Sequence, residues 1–167
     1  MKYTPLLKEL YQRNRAKFTT KMAKNGVAIF NANDILPTNA DGTMKFRQNN
    51  DLFYLCGIDQ EETILLLAPD CPNPAWREVL FLRETNAHIA VWEGHKYTKE
   101  EAFVASGIET ILWLSDFELV FNSVVNLSES IYLNTNEHLR AGVVVETRDA
   151  RFIQVVKERY PLHRLER

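Results

Sequence analysis

Histidines and cysteines supply most metal ligands and many nucleophiles, so their spacing is the first guide to chemistry. The four histidines are His88, His95, His138 and His163. None belongs to an HExxH or HxH pattern, which favours ordinary surface or core histidines over a metal site. Cys56 and Cys71 have no CxxC spacing, so we predict buried, reduced thiols. The sequence also lacks a GxSxG elbow, a Walker loop and a GxGxxG turn, and no catalytic residue is predicted in this chain.

One stretch of polar and aromatic residues could either bind a ligand or fold locally. It runs from Phe46 to Ile58 with the sequence FRQNNDLFYLCGI. Arg47 could form a bidentate pair with a carboxylate, while the Asn and Gln side chains could satisfy backbone groups of a loop. The residues favour a structural anchor that ties a long loop to the core over a ligand contact.

A second stretch places a tryptophan beside a turn. Residues 89–94 have the sequence IAVWEG, so Trp92 ends a predicted strand and Gly94 follows it in a turn. A tryptophan can fill a core, or it can offer another molecule a large rigid surface with an N–H donor. The residues alone leave both interpretations open.

Composition limits the class of protein. The 167 residues include 20 Lys+Arg and 22 Asp+Glu, and 46% are hydrophobic, which is typical of one globular domain. The near-neutral balance argues against a dedicated nucleic-acid binder. The longest apolar run, 64–69, is too short to cross a membrane, and the first residues contain no apolar signal-peptide segment. A cytoplasmic protein with no nucleic-acid or membrane partner is therefore expected.

Positive charge is concentrated at the start of the chain. Residues 1–24 contain seven Lys+Arg and one Glu. The favoured interpretation is a solvated helix face packed on an acidic body. The alternative is a docking surface for an acidic partner.

The hydrophobic pattern predicts an α/β fold, with a mixed β-sheet flanked by helices. Predicted strands cover residues 27–30, 63–68, 78–82, 88–92, 109–114 and 130–133. Predicted helices cover residues 5–25, 51–56, 98–106, 115–126 and 149–160. Capping boxes are predicted at 98–101 and 115–118, and Gly57 and Gly107 should end helices. Residues 31–45 are predicted to form a long loop.

These stretches resemble motifs of the Xaa-Pro aminopeptidase (aminopeptidase P) N-terminal domain, in the creatinase and prolidase family. The segment FRQNNDLFYLCG at 46–57 resembles the signature aromatic-Arg-Gln-(Asn/Asp)-Ser-(Asp/Asn)-Phe-x-Tyr-x-Thr-Gly. ETILLL at 62–67 is similar to the family's Glu-Ala-Val-Leu-Leu-Leu strand, and VWEGHK at 91–96 to its Ile-Trp-x-Gly-x-Arg. The signature residues matched are Arg47, Gln48, Asn49, Asp51, Tyr54, Gly57 and Gly94. Cys56 and Lys96 depart from the pattern and indicate a divergent branch.

The resemblance implies a ribonuclease-H-like α/β architecture and a non-catalytic role. In such proteins this domain contributes to oligomer assembly and gates an active site, often that of a neighbouring subunit. The resemblance assigns gating in trans to Trp92 and, on a looser alignment, to Arg148. Trp92 is expected to be at least partly exposed.

The resemblance also implies what this chain lacks. Residues 1–167 are expected to form a single N-terminal domain, without the C-terminal pita-bread domain that holds two manganese ions. Alone it should bind no catalytic metal and cleave nothing. The expected partners are its own catalytic domain, other subunits of a homo-oligomer and a peptide with proline at the second position. The alternative is a free-standing peptide- or protein-binding module that uses the basic first helix as its docking face.

Overall fold

Six strands form one mixed sheet in the computed structural model, which describes residues 6–86, 91, 94–135, 138, 142 and 145–167. The strands are β1 Gly26–Asn31, β2 Ile64–Leu67, β3 Glu78–Leu82, β4 Thr110–Trp113, β5 Ser130–Leu133 and β6 Arg164–Glu166. The described α-helices are α1 Lys8–Thr19, α2 Asn50–Cys56, α3 Lys99–Ser106, α4 Phe117–Val125 and α5 Arg148–Arg159. The order across the sheet is β4-β3-β2-β1-β5-β6.

The central strand β1 has one antiparallel and one parallel neighbour. It pairs antiparallel with β2 and parallel with β5. The sheet continues antiparallel from β2 to β3, and parallel from β3 to β4 and from β5 to β6. The predicted mixed sheet is confirmed.

Alternation along the strands divides the apolar side chains between two cores, because successive side chains point to opposite faces of a sheet. Val27 and Ile29 belong to the first core, which α4 and α5 cover, whereas Ala28 and Phe30 belong to the second, which α1, α2 and α3 cover. Both faces are buried, which explains why strands such as β2 are continuously apolar rather than alternating.

Helix caps follow the sequence in most places. Thr98 and Glu101 form the predicted capping box, and Gly107 ends α3 in the left-handed conformation. The second predicted box is wrong. Asp116 makes no side-chain cap, because a 3₁₀ turn, Leu114–Asp116, runs directly into α4 and the N–H of Phe117 bonds the carbonyl of Leu114.

The ends of the chain differ most from expectation. The first helix ends at Thr19 rather than near residue 25, since tight turns follow it and Asn25 has a φ of +56°. The short charged strand β6 was not predicted; parallel pairing with β5 holds it at the sheet edge. The predicted strand at 88–92 lies outside the described residues, apart from Val91, which is helical.

None of the described helices has both the length and the apolar character needed to cross a membrane.

Candidate functional site

A group of polar side chains lies beyond the carboxyl ends of the parallel strands β1 and β5. Asn31 is the last residue of β1, and Asn134 follows β5. Their side-chain amides donate to the carboxylate of Asp149 in the first turn of α5, at 2.9 Å from Asn31 and 3.3 Å from Asn134. Asn49 donates to the same carboxylate at 3.4 Å. We call Asn31, Asn49, Asn134 and Asp149 the Asp149 cluster.

Asn49 has a second role in the cluster. Its side-chain oxygen accepts hydrogen bonds from the backbone N–H groups of Asp51 at 2.9 Å and Leu52 at 3.3 Å, which caps α2. The two ends of one amide therefore join the start of α2 to the start of α5.

Gln48, the preceding signature residue, is bonded entirely to backbone. Its Nε2 donates to the carbonyls of Ile58 at 3.0 Å and Gln60 at 2.7 Å, and its Oε1 accepts from the N–H of Asn49 at 2.8 Å. These bonds close the chain around α2. At the other end of α2, Gly57 has a φ of +73° and donates its N–H to the carbonyl of Phe53.

Burial and charge act against each other at the first turn of α5. Burial raises the pKa of Asp149 above its ordinary value, while hydrogen bonds from Asn31 and Asn134 and the charge of Arg148 lower it. Burial lowers the pKa of Arg148, and the nearby carboxylates of Asp34, Glu62 and Asp149 oppose that change. Arg148 is thus a half-buried cation held beside acidic groups.

Further ion pairs surround this position. Arg151, one turn along α5, donates to Asp34 at 2.8 Å, and Arg83 pairs with Glu62 at 3.2 Å. Glu62 has a φ of +51°, a strained value for a residue with a side chain. The resulting surface carries both positive and negative side chains, and Arg148 lies within it.

The remaining signature residues point outward. Arg47 and Asp51 are exposed, and Tyr54 is 53% exposed. Among the ion pairs of the described residues none involves Arg47, whose backbone carbonyl accepts from Asn33 at 3.1 Å. The bidentate pair with a carboxylate that the sequence suggested for Arg47 is therefore not among these ion pairs.

Trp92 lies outside the described residues, so its exposure stays a prediction. Gly94 is described, with a φ of +78°, and among the described residues no atom lies within 4 Å of a Cβ built on it. The chain after it is tied down by an ion pair between Lys96 and Glu61 and by the N–H of Tyr97, which donates to Gln60 Oε1 at 2.7 Å.

Sequence reasoning missed Arg15. Its side chain is 1% exposed, and it donates to Glu78 at 2.9 Å and to the carbonyls of Leu55 at 2.9 Å and Ser106 at 3.0 Å. The interpretation of every N-terminal cation as part of a solvated face is wrong at this residue. Helical spacing was the available signal, because Arg15 lies on the same face of α1 as Tyr11 and Phe18.

Neither thiol is arranged as a nucleophile. Cys56 and Cys71 are both free and buried, as predicted. Burial raises the pKa of Cys56 to about 12, although the charge of Arg15 opposes the change. A thiol with such a pKa holds almost no thiolate at neutral pH.

An apolar groove of about 700 Å³ lies beside the Asp149 cluster, between α1, α2 and the ends of β1 and β5. Its wall contains Phe18, Met22, Phe30, Leu55, Tyr132 and Leu133. Lys21, Asp51 and Arg167 add charge at the lining, and Asn134 belongs both to the groove and to the cluster.

Metal ligands are not gathered in the described part of the chain. No group of three or more His, Cys, Asp or Glu side chains there could hold a metal ion. The described residues therefore do not fit a two-manganese site, which the resemblance assigns to a domain outside this chain.

Sequence comparison finds relatives of one kind. The family model for the aminopeptidase P N-terminal domain matches residues 11–132. The Xaa-Pro aminopeptidase of Escherichia coli K12 is 25% identical over 139 residues, which cover 82% of this chain and 31% of the relative. Human Xaa-Pro aminopeptidase 3 is 27% identical over 75 residues, covering 44% of this chain and 15% of the relative. The chain thus spans at most about a third of the length of these curated relatives.

Solved structures share the fold. A Bacillus anthracis protein to which an aminopeptidase P function is attributed superposes with a TM-score of 0.82 at 23% identity, covering 96% of this chain and 38% of that one. Pseudomonas aeruginosa aminopeptidase PepP gives 0.77 at 20% identity, over 98% and 37% of the two chains. The predicted α/β architecture is confirmed. Because the family model matches most of its length, the chain belongs to the aminopeptidase P N-terminal domain family.

Proposed function

We propose that this chain is the non-catalytic N-terminal domain of a metal-dependent Xaa-Pro aminopeptidase, where it gates the active site and contributes to oligomer assembly. Two facts support the proposal. The matched relatives are named Xaa-Pro aminopeptidases, and the chain spans only about a third of the first of them. The remaining length of such a relative leaves room for a separate catalytic domain.

The half-buried guanidinium of Arg148 is the observation that carries the gating role. It stands in the first turn of α5, beside Asp34, Glu62 and Asp149. A guanidinium held at a surface offers several N–H donors in a fixed plane and can bind a carboxylate or a peptide carbonyl. We propose that it contacts a peptide with proline at the second position, in the active site of a neighbouring subunit.

Trp92 is proposed to form a wall of the same site. An indole is rigid and large, so it can restrict which peptides enter a cleft. Gly94, two residues later in the chain, is exposed and meets no other atom of the described residues within 4 Å of a Cβ built on it, so this glycine could approach another subunit closely.

The cleavage chemistry is assigned outside this chain. Two manganese ions in a catalytic domain would polarise the scissile carbonyl and supply the attacking hydroxide. The residues described here lack a group that could hold them. Domain and metal are therefore both proposed for the parent protein, which we place in the cytoplasm.

Peptide hydrolysis tests the proposal directly. Xaa-Pro dipeptides and tripeptides would be incubated with Mn²⁺ and either this chain or the chain extended through its downstream reading frame. We expect cleavage only by the extended chain. An extension without activity, or the absence of an extension in the gene, would overturn the proposal.

The apolar groove favours a second candidate, a free-standing peptide-binding module. Its volume of about 700 Å³ and its aromatic wall are suited to apolar side chains of a partner. The basic first helix is a weaker docking face than its composition suggested, because Arg15 is buried. The chain would be titrated with a proline-containing peptide library while the amide chemical shifts of Phe18 and Tyr132 are recorded. Shifts that change on binding would support this candidate, and unchanged shifts would contradict it.

A further inference from the structure

We propose that Asn49 and Asp149 are positioning residues for Arg148, so that the aromatic-Arg-Gln-Asn signature acts on the proposed gating site without touching a ligand. The effect on catalysis rests on the function proposed above. The effect on the geometry of Arg148 does not.

The first step is that the first turn of the helix, which carries Arg148, contributes no side chain to the first core. Val156, the fully buried residue of α5, lies two turns beyond Arg148. Half-buried Phe152 and Ile153, which pack against the first core, begin one turn beyond it. The first turn is exposed or half-buried, and Thr147 caps it through a bond to the N–H of Ala150 at 3.2 Å. Polar contacts must therefore set the direction of this turn.

The second step is the density of those contacts at Asp149. Three amide donors from three separate segments converge on its carboxylate, from the end of β1, the cap of α2 and the end of β5. The two parallel strands belong to a buried sheet, so they offer fixed points. A carboxylate held from three directions fixes the backbone of the adjacent residue, which is Arg148.

The third step explains the residue type at position 49. Serine and aspartate cap helices about as well as asparagine. An aspartate carboxylate only accepts, and a serine hydroxyl accepts and donates at one atom close to the backbone. The longer asparagine amide accepts from the helix with its oxygen and donates to Asp149 with its nitrogen. The structure uses both ends.

The experiment separates capping from positioning. Asn49→Ser keeps a cap for α2 but removes the amide nitrogen that reaches Asp149. Asn73→Ser is the matched control, since Asn73 also caps a short helix through a bond to Ala75 and has no contact with the cluster. The measurement is the ¹⁵N order parameter of the Arg148 Nε–H group in this chain, with the thermal midpoint recorded for each variant.

We expect Asn49→Ser to reduce the Arg148 order parameter to below about 0.6, the range of flexible groups, while Asn73→Ser leaves it unchanged. An unchanged value in Asn49→Ser would overturn the proposal. Should Asn49→Ser fail to fold, Asn134→Ala removes another donor to Asp149, together with a 3.5 Å bond to Asn49 Oδ1. The two bonds from the α2 backbone to Asn49 stay in place in that variant. A reduced Arg148 order parameter in that variant would then support the proposal, and an unchanged one would overturn it.

A kinetic arm tests the consequence for catalysis. In the chain extended through its downstream reading frame, Asn49→Ser and Arg148→Gln should raise KM for a Xaa-Pro tripeptide by similar factors with kcat nearly unchanged. The double variant should be no worse than Arg148→Gln, and additive effects would contradict positioning. If the extended wild type cleaves nothing, the proposed function fails, while the order parameter still decides the role of Asn49.

Discussion

Two arginines define two different regions of this domain. Arg15 lies inside, between α1, α2, α3 and β3, and its guanidinium has a carboxylate and two carbonyls as partners. Arg148 lies half-buried beyond the carboxyl ends of β1 and β5, among carboxylates that balance its charge. The region around Arg15 is closed to solvent, and the region around Arg148 is open to solvent on one side.

The difference shows how one side-chain type serves two purposes. A buried cation costs free energy unless its donors are satisfied, and Arg15 meets that condition through contacts that join three helices to the sheet. A half-buried cation is cheaper to hold and leaves part of its surface for another molecule. Removing Arg15 should therefore damage folding, and removing Arg148 should affect function.

The largest expected effect is the loss of Arg15. Arg15→Met keeps most of the side-chain volume but leaves the buried carbonyls of Leu55 and Ser106 without a donor. Glu78 can be solvated because its side chain is 39% exposed, so the two carbonyls dominate. We expect about 3–5 kcal/mol lower free energy of unfolding, measured by urea denaturation.

Arg13→Met is the control for that measurement, because Arg13 is exposed on the same helix. It should change the free energy of unfolding by less than about 0.5 kcal/mol. Equal losses in the two variants would remove the distinction between the buried arginine and its exposed neighbours.

Two glycines, one in tight and one in open surroundings, give the next comparison. A Cβ on Gly57 would lie 2.4 Å from the ring of Tyr11, whereas one on Gly94 would meet no atom of the described residues within 4 Å, although both have φ near +75°. Gly57→Ala should cost about 2–4 kcal/mol from backbone strain and overpacking. Gly94→Ala should cost about 1–2 kcal/mol from strain alone. Thermal unfolding of the two variants would check this, and a larger loss at Gly94 would contradict the open surroundings described there.

The sheet was predictable because apolar runs and turn residues mark it clearly. Strands β1, β2, β3 and β5 coincide with apolar runs such as VAIF and ILLL. The caps at Thr98, Gly57 and Gly107 follow from residue types with one preferred geometry. The edge strand β6 carries no such pattern, and only its pairing with β5 reveals it.

The candidate site was less predictable, because long-range contacts create it. Asn31, Asn49, Asn134 and Asp149 are separated by up to 118 positions, and single asparagines in loops have no distinctive spacing. The resemblance supplied Asn49 and Arg148, but not the carboxylate that joins them. The burial of Arg15 is a related case, since the sequence shows a charge and the fold decides where it lies.

The pH dependence of stability should sharpen the account of the open region. Burial raises the pKa of Asp149 above the ordinary value of 3.8, so the folded state binds this proton more tightly than the unfolded state. This contribution to the stability of the folded state is fully present below the pKa that Asp149 has in the unfolded state. It is lost as the pH rises through the higher pKa that Asp149 has in the folded state. The asparagine of the Asp149→Asn variant cannot titrate. Arg148 is the charged group beside position 149 in both the variant and the wild type.

The stability of the wild type relative to Asp149→Asn should therefore fall as pH rises from about 3.5 to 7. Chemical denaturation across that range measures the difference. Asn73→Ser should show a difference from the wild type that does not vary with pH. A relative stability that rises with pH would mean that the amide donors, rather than burial, dominate at Asp149.

The smallest expected effect on stability is at Arg148 itself. Arg148→Gln removes a cation that burial already disfavours, together with attractions to Asp34, Glu62 and Asp149 that water partly screens. The two changes oppose each other, so the free energy of unfolding should change by less than about 1 kcal/mol. Urea denaturation beside Arg15→Met gives the direct contrast, since both variants lose one guanidinium. A loss at Arg148 as large as that at Arg15 would make Arg148 a structural residue and leave the open region without its proposed contact to a peptide.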